Sequence, residues 1–314
     1  MRTPAAPLDG AASFGGAPLG VEGSVQPNYL VRAQAHAGLV RAFSVNATAV
    51  VAEIRARHDT EPAVTAALGR LATGALLFGA TLKEADHLVT LRIHGDGPAG
   101  VLLASANGRG EVRGLVAHPR TDVEQVRNGK LNVSGVVGRS GRLTVTRDLG
   151  LRQPYVGITQ LVSGEVGEDL AHHLAASEQI PSAVGIGVFV RATGDVEAAG
   201  GFMIQLMPGV TAAAADSIDA RVRALPHPTA MLRAGDSPED VLGRIFPDGF
   251  DLLDRTDVRF HCPCSRERVD RALERIAATR GDSSSHTGAE GAEGGGKKGE
   301  TLVELGAASG PAAG

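Results

Sequence analysis

Cys262 and Cys264 are the only cysteines in the chain, and a single proline separates them. A Cys-x-Cys pair in a chain with so few thiols seldom arises from packing alone. Two thiolates at this spacing can turn toward one soft cation such as zinc, supplying two of the four ligands that a structural tetrahedral site takes. His261 and His286 are the nearby candidates for further ligands. A full structural zinc site contributes about 10–16 kcal/mol to folding, and a two-thiolate fragment far less. The same pair can instead be oxidised to a tight, strained disulfide of the labile, regulatory kind. A third reading is two unmetallated thiols at the start of a helix.

No other constellation competes with that pair. Gly95-Asp96-Gly97-Pro98-Ala99-Gly100 matches G-x-G-x-x-G, but the residues that follow, VLLASA, alternate as a strand. A pyrophosphate site needs a helix N-terminus there, so the motif reads as a hairpin turn using glycine for positive φ. Walker-type Gly-Lys-Ser/Thr and G-x-S-x-G are both absent. His172 and His173 are adjacent, so in a helix they diverge by about 100° and cannot chelate one metal; they read as surface or packing residues. Glu165, Glu168 and Asp169 fall in an opening helical turn, where they complement the dipole. No catalytic set is left, and the chain reads as a non-enzyme. The alternative is a thiol oxidoreductase using Cys262 and Cys264.

The elements that must position these residues follow from patterning. Helices are predicted over Ala47 to His58, over Glu61 to Ala80 with Thr60 as N-cap and Pro62 in the first turn, and from about Glu168 to Ser177. Strands are predicted at HLVTLRIH from His87, AGVLLASA from Ala99, EVRGLVA from Glu111, LNVSGVV from Leu131 and RLTVTRD from Arg142. Further strands are placed at Val156 to Val162, Val184 to Val190 and Gly201 to Met207. The short Gly- and Asn-rich connections suit antiparallel pairing, and the order gives an α+β fold of mostly antiparallel sheets with packed helices. After Pro208 the texture becomes helical again over Thr211 to Leu225 and from Ser237 into VLGRIF. A last helix, capped by Ser265, carries Val269, Ala272, Leu273 and Ile276 at helical spacing.

Composition narrows the partners. Lys plus Arg number 31 against 35 Asp plus Glu, giving a formal charge of −4, and aromatic residues make up 3% with no Trp. Neither nucleic acid nor an anionic membrane is suggested as a partner. The apolar stretch from Pro62 to Leu82 contains Arg70 and three glycines and reads as a buried core helix. The first residues show no secretory pattern, and two cysteines are no disulfide framework, so a reducing cytoplasm is expected.

At HCPCSRERVDRAL the chain resembles the redox-regulated thirty-three-kilodalton heat-shock chaperone family. Further segments resemble it in order: EIRARHDTEPAVTAALGRLATGALLFGATLK, HGDGPAG with RGLVAHP, LTVTRDLG with PYVGITQLVSGEVGEDLAHHLAASEQIPSAVGIGV, and AAGGFMIQLMPG. The resemblance covers about Val25 to Ala278. It implies a chaperone core at 25–207, a metastable helical linker at 208–257 and a small C-terminal zinc-type unit at 258–280. These are flanked by a disordered extension at 1–24 and a low-complexity tail at 281–314. It also implies a holdase that needs no ATP, acting as a dimer on unfolding clients. In reduced members four cysteines bind zinc; oxidation pairs them within each motif, here Cys262 with Cys264, and unfolds the linker. The distal Cys-x-x-Cys is missing from this chain: ETLVELGAAS resembles the stretch that would hold it, with Leu305 and Ala308 at the corresponding spacing. A shifted reading frame, loss of the zinc switch, and ligands supplied in trans all account for this.

Overall fold

A computed structural model describes residues 27–127 and 130–265, together with 267, 270, 271 and 274. Its elements in chain order are β1 (Tyr29–Ala35), β2 (Val40–Asn46), α1 (Thr48–His58), α2 (Pro62–Gly79), β3 (Leu88–Gly95), β4 (Val101–Asn107) and β5 (Glu111–Val116). Then come β6 (Val126–Arg127), β7 (Lys130–Leu131), α3 (Val133–Val137), β8 (Gly141–Asp148), β9 (Tyr155–Gln160), α4 (Gly167–Ala176), β10 (Ser182–Val190) and β11 (Val196–Leu206). The remainder is α5 (Ala212–Ala224), α6 (Pro228–Arg233), α7 (Pro238–Ile245), β12 (Asp251–Asp257) and β13 (Arg259–Phe260). The chain divides into two units, one reaching Cys262 and the other beginning at Pro263.

The first unit is built on two sheets, and the α+β expectation holds. One has the strand order β10-β11-β2-β1-β12, the other β13-β5-β4-β3-β8-β9. Every pairing is antiparallel except β13 beside β5. Between them runs α2, packed against strands of both. A helix apolar all round must be buried all round. α2 is also long and apolar enough to cross a membrane, but 89% of its apolar window is buried inside the protein. Its one charged residue, Arg70, reaches Glu165 Oε2 at 2.7 Å.

Three local expectations are corrected. Thr60 is not the cap of α2: Glu61 holds that position, and the Thr60 hydroxyl instead pairs with the Thr65 hydroxyl at 2.7 Å. LNVSGVV is not a strand beyond Leu131. The Asn132 side chain accepts the Gly135 amide and starts the short helix α3, whose Val133, Val136 and Val137 plug the end of the core. β1, β2 and β12, none of them predicted, make up three strands of the five-stranded sheet. The stretch 208–257 holds α5, α6, α7 and β12, so it contributes an edge strand as well as helices.

Glu267, Asp270, Arg271 and Glu274 are helical. Val269, Ala272, Leu273 and Ile276 lie outside the described residues, as do the 1–24 extension, the 281–314 tail, His286, Leu305 and Ala308.

Candidate functional site

Strand alternation gives the five-stranded sheet two unlike faces. Leu30, Phe43, Val45 and Met203 join the core around α2. Tyr29, Val31, Ala33, Ala35, Val40, Ala42, Phe202 and Ile204 belong to a second apolar cluster on the opposite face. Three helices complete that cluster: Ile218 from α5, Met231 from α6, and Val241, Leu242 and Ile245 from α7, with Phe246 after it.

Those helices are 13, 6 and 8 residues long. Isolated helices shorter than about 12–15 residues are marginal in water, so packing on the sheet holds them folded. Their ends are well specified. The Thr211 hydroxyl accepts the Ala214 amide at 3.3 Å. Ser237 and Asp240 form a reciprocal capping box, and Pro228 and Pro238 fill first-turn positions. Polar ties to the sheet are few. Tyr29 Oη donates to Glu239 Oε2 at 2.6 Å, and Arg233 Nε to Glu197 Oε1 at 2.8 Å. Burial first, then the Glu239 carboxylate, pushes the Tyr29 phenol up to about 12. The arrangement is an apolar sheet face under a cover of short helices, held by side-chain packing and a handful of polar contacts. Released, it would offer hydrophobic surface.

The cysteine pair follows the last strand of this unit. β13 pairs Arg259 with Glu111 and Phe260 with Val112, and the His261 amide donates to Val112 O at 2.9 Å. The Arg57 guanidinium stacks over the Phe260 ring at 4.5 Å. The ladder therefore fixes the backbone up to the residue before Cys262. Cys262 and Cys264 are both exposed. Among the described residues no group of three or more His, Cys, Asp or Glu side chains could hold a metal ion. A closed structural zinc site takes four ligands, and the two cysteines are the thiolates this sequence can supply.

The remaining candidates have structural roles. Gly95 to Gly100 is a turn between β3 and β4 and is clasped to α3: Asp96 Oδ1 accepts the Arg139 and Ser140 amides at 2.9 and 3.0 Å, and Gly97 N donates to Val137 O at 3.1 Å. A Cβ on Gly97 would collide with the α3 backbone, which explains that glycine without a phosphate. Asp169 Oδ1 accepts the Val162 and Ser163 amides at 2.7 and 3.1 Å, and Glu165 holds Arg70. Glu168 sits in the first turn of α4. His173 is fully buried, 3.1 Å from Thr159 Oγ1, while its neighbour His172 is half-buried. Sequence reasoning missed the covered sheet face, although the alternation in YLVRAQA and VRAFSVN carries its signal.

Residues 28–284 match the family model described as Hsp33 protein. The 33 kDa chaperonin of Enterococcus faecalis is 45% identical over 247 residues, spanning 78% of this chain and 83% of the relative. That of Geobacillus kaustophilus is 46% identical over 247 residues, with 78% and 84% covered. The crystal structure of the 33 kDa chaperonin from Thermotoga maritima superposes with a TM-score of 0.72 at 35% identity, covering 81% of this chain and 89% of the other. The order of motifs, the fold and these matches agree: the chain belongs to the Hsp33 family of chaperones.

Proposed function

We propose that this protein is an ATP-independent holdase whose client-binding surface is the outer face of the five-stranded sheet, uncovered when α5, α6 and α7 leave it. The observation that carries this reading is the second apolar cluster, in which Val31, Val40, Phe202 and Ile204 are covered by helices too short to persist alone. A segment unfolding from that face exposes contiguous apolar surface at little cost to the core around α2. Residues 208–257 are the metastable linker in this account. The protein acts in the cytoplasm as a homodimer on unfolding proteins, with neither nucleic acid nor membrane as partner, and catalyses no reaction.

Redox control is partial. Hydrogen peroxide oxidises the Cys262 and Cys264 thiols to one disulfide and is itself reduced to two waters. With one pair in place of two, zinc binds weakly or not at all, the linker is poorly latched, and the reduced protein already holds clients. Light scattering from a thermally unfolding client, without nucleotide, tests this. Suppression by both the reduced and the peroxide-treated protein is expected, and failure of both sinks the reading. Exposure of both thiols also favours a thiol oxidoreductase. That reading requires catalytic turnover of a disulfide substrate, lost in Cys262→Ala.

A further inference from the structure

A cavity of about 330 Å³ opens where the inner face of the five-stranded sheet meets the end of α2 and β8. Its lining includes Arg41, Lys83, His87, Arg147, Glu178 and Gln205. Arg147 and Glu178 neutralise each other: the guanidinium donates to both carboxylate oxygens at 2.9 and 3.1 Å, and to Thr81 Oγ1 at 3.0 Å, with both side chains almost buried. Arg41 has no such counter-charge. Among the described residues no carboxylate lies in ion-pair range of it, and its guanidinium rests 5.3 Å from the centre of the Phe43 ring. Lys83, which is exposed, also makes no ion pair among the described residues.

Two neutral polar groups complete the wall. Gln205, paired with Arg41 across β2 and β11, is 1% exposed, and its Oε1 has no hydrogen-bond partner among the described residues. The buried His87 Nδ1 is in the same condition. Polar atoms are rarely left unsatisfied at such depth. Burial, with the Arg32 and Arg147 guanidiniums adding to it, holds the Arg41 pKa below the usual guanidinium range, the response of a cation lacking an anion. The end of α2 does not supply one. Its terminal carbonyls, Leu76 O, Phe78 O and Gly79 O, accept the amides of Ala80, Thr81 and Leu82. The larger cavity, about 700 Å³, has its buried arginine, Arg70, already matched by Glu165.

We propose that the smaller cavity binds a phosphoryl oxyanion, with Arg41 and Lys83 as its charge partners and the unsatisfied Gln205 Oε1 accepting from a hydroxyl of the ligand, the P–OH of a protonated phosphate or an alcohol of an organic one. Arginine's planar fork and lysine's point charge are the usual pair for this chemistry, and the volume lies at the small end of the range for ligand pockets, enough for a phosphorylated small molecule.

Calorimetric titration of the full chain with inorganic phosphate and with ribose 5-phosphate, at ionic strength fixed by sodium chloride, tests the site. Saturable binding at about 1 mM or tighter is expected for at least one probe. It should weaken at least about tenfold in Arg41→Gln and in Lys83→Gln, and stay unchanged in Arg92→Gln, an exposed cation outside the cavity. Lys83 is exposed, so its variant keeps the test valid should Arg41→Gln fail to fold. Tighter binding of ribose 5-phosphate identifies an organic phosphate as the ligand, and equal binding identifies free phosphate. The proposal is overturned if neither probe saturates by about 10 mM, or if both variants bind as the parent does.

Discussion

Tyr29 Oη donates a 2.6 Å hydrogen bond to Glu239 Oε2, joining β1 to the first turn of α7 across 210 residues of sequence. Tyr29 is 4% exposed, and a hydrogen bond to a charged group at such a site is worth about 1.5–3 kcal/mol. Tyr29→Phe keeps the ring and removes the bond. Amide hydrogen exchange across α7 should quicken by about tenfold to a hundredfold while α2 keeps its protection. Unchanged exchange in α7 would show that the tie does not hold the cover in place.

Gly69 lies in the middle of α2, where alanine ordinarily gains about 1 kcal/mol. Here an added Cβ would stand 2.5 Å from Val51 Cγ1 and 3.0 Å from Val188 Cγ2. Both valines are buried and stiff at χ1, so neither yields cheaply. Overpacking of this kind costs about 1–3 kcal/mol and outweighs the propensity gain. Gly69→Ala should therefore lower the melting temperature, as thermal denaturation would record; a rise would contradict the packing of α2 between the sheets.

His173 is fully buried, and burial holds its pKa below the ordinary histidine value, with Arg147 and His172 adding to the effect and Glu178 opposing it. The unfolded chain therefore takes up a proton at this residue near pH 6.5, before the folded chain does. Above that pH the residue contributes no pH dependence. Below it, stability falls as the solution is acidified, by up to about 1.4 kcal/mol per pH unit until the folded pKa is reached. Melting temperatures taken from pH 7.5 down to about 5.5 should decline less steeply in His173→Gln than in the parent.

Peroxide treatment should remove two hydrogens from the peptide containing Cys262 and Cys264, seen by mass spectrometry and absent in Cys264→Ala. Because two thiols do not close a tetrahedral zinc site, a chelator should leave the melting of the first unit unchanged. Tight stoichiometric zinc, with client binding silent until the metal is removed, would contradict partial redox control.

The sequence made some elements legible and hid others for physical reasons. α1, α2, α4, α5 and α7 announced themselves because each carries its own signal: helical spacing of apolar residues, Pro62 or Pro238 in a first turn, or the Ser237 capping box. The stretch at Leu131 misled because Leu131 and Val133 alternate with Asn132 and the run is rich in β-branched valine, while Val133, Val136 and Val137 stand at helical spacing and one side-chain bond from Asn132 starts the helix. β12, DLLDRTD, shows no apolar alternation, and Leu252 and Leu253 are exposed; only its register with β1, as in Arg32 opposite Asp254, makes it a strand. The cysteine pair was visible as a spacing. The covered sheet face was not, because its residues come from β1, β2, β11 and three later helices and meet only through long-range topology. The oxyanion cavity was hidden in the same way: Arg41, Lys83 and Gln205 share no local pattern.

The most direct test of the account combines the client assay with a loosened cover. Leu242 in α7 is fully buried against the sheet face, and truncating it to alanine costs about 2–5 kcal/mol of local packing. Light scattering from a thermally unfolding client, without nucleotide and under reducing conditions, should show suppression by the parent and stronger suppression, at a lower chaperone-to-client ratio, by Leu242→Ala. If Leu242→Ala remains folded around α2 and suppresses less than the parent, or if neither protein suppresses aggregation, the sheet face beneath α5, α6 and α7 is not the client-binding surface.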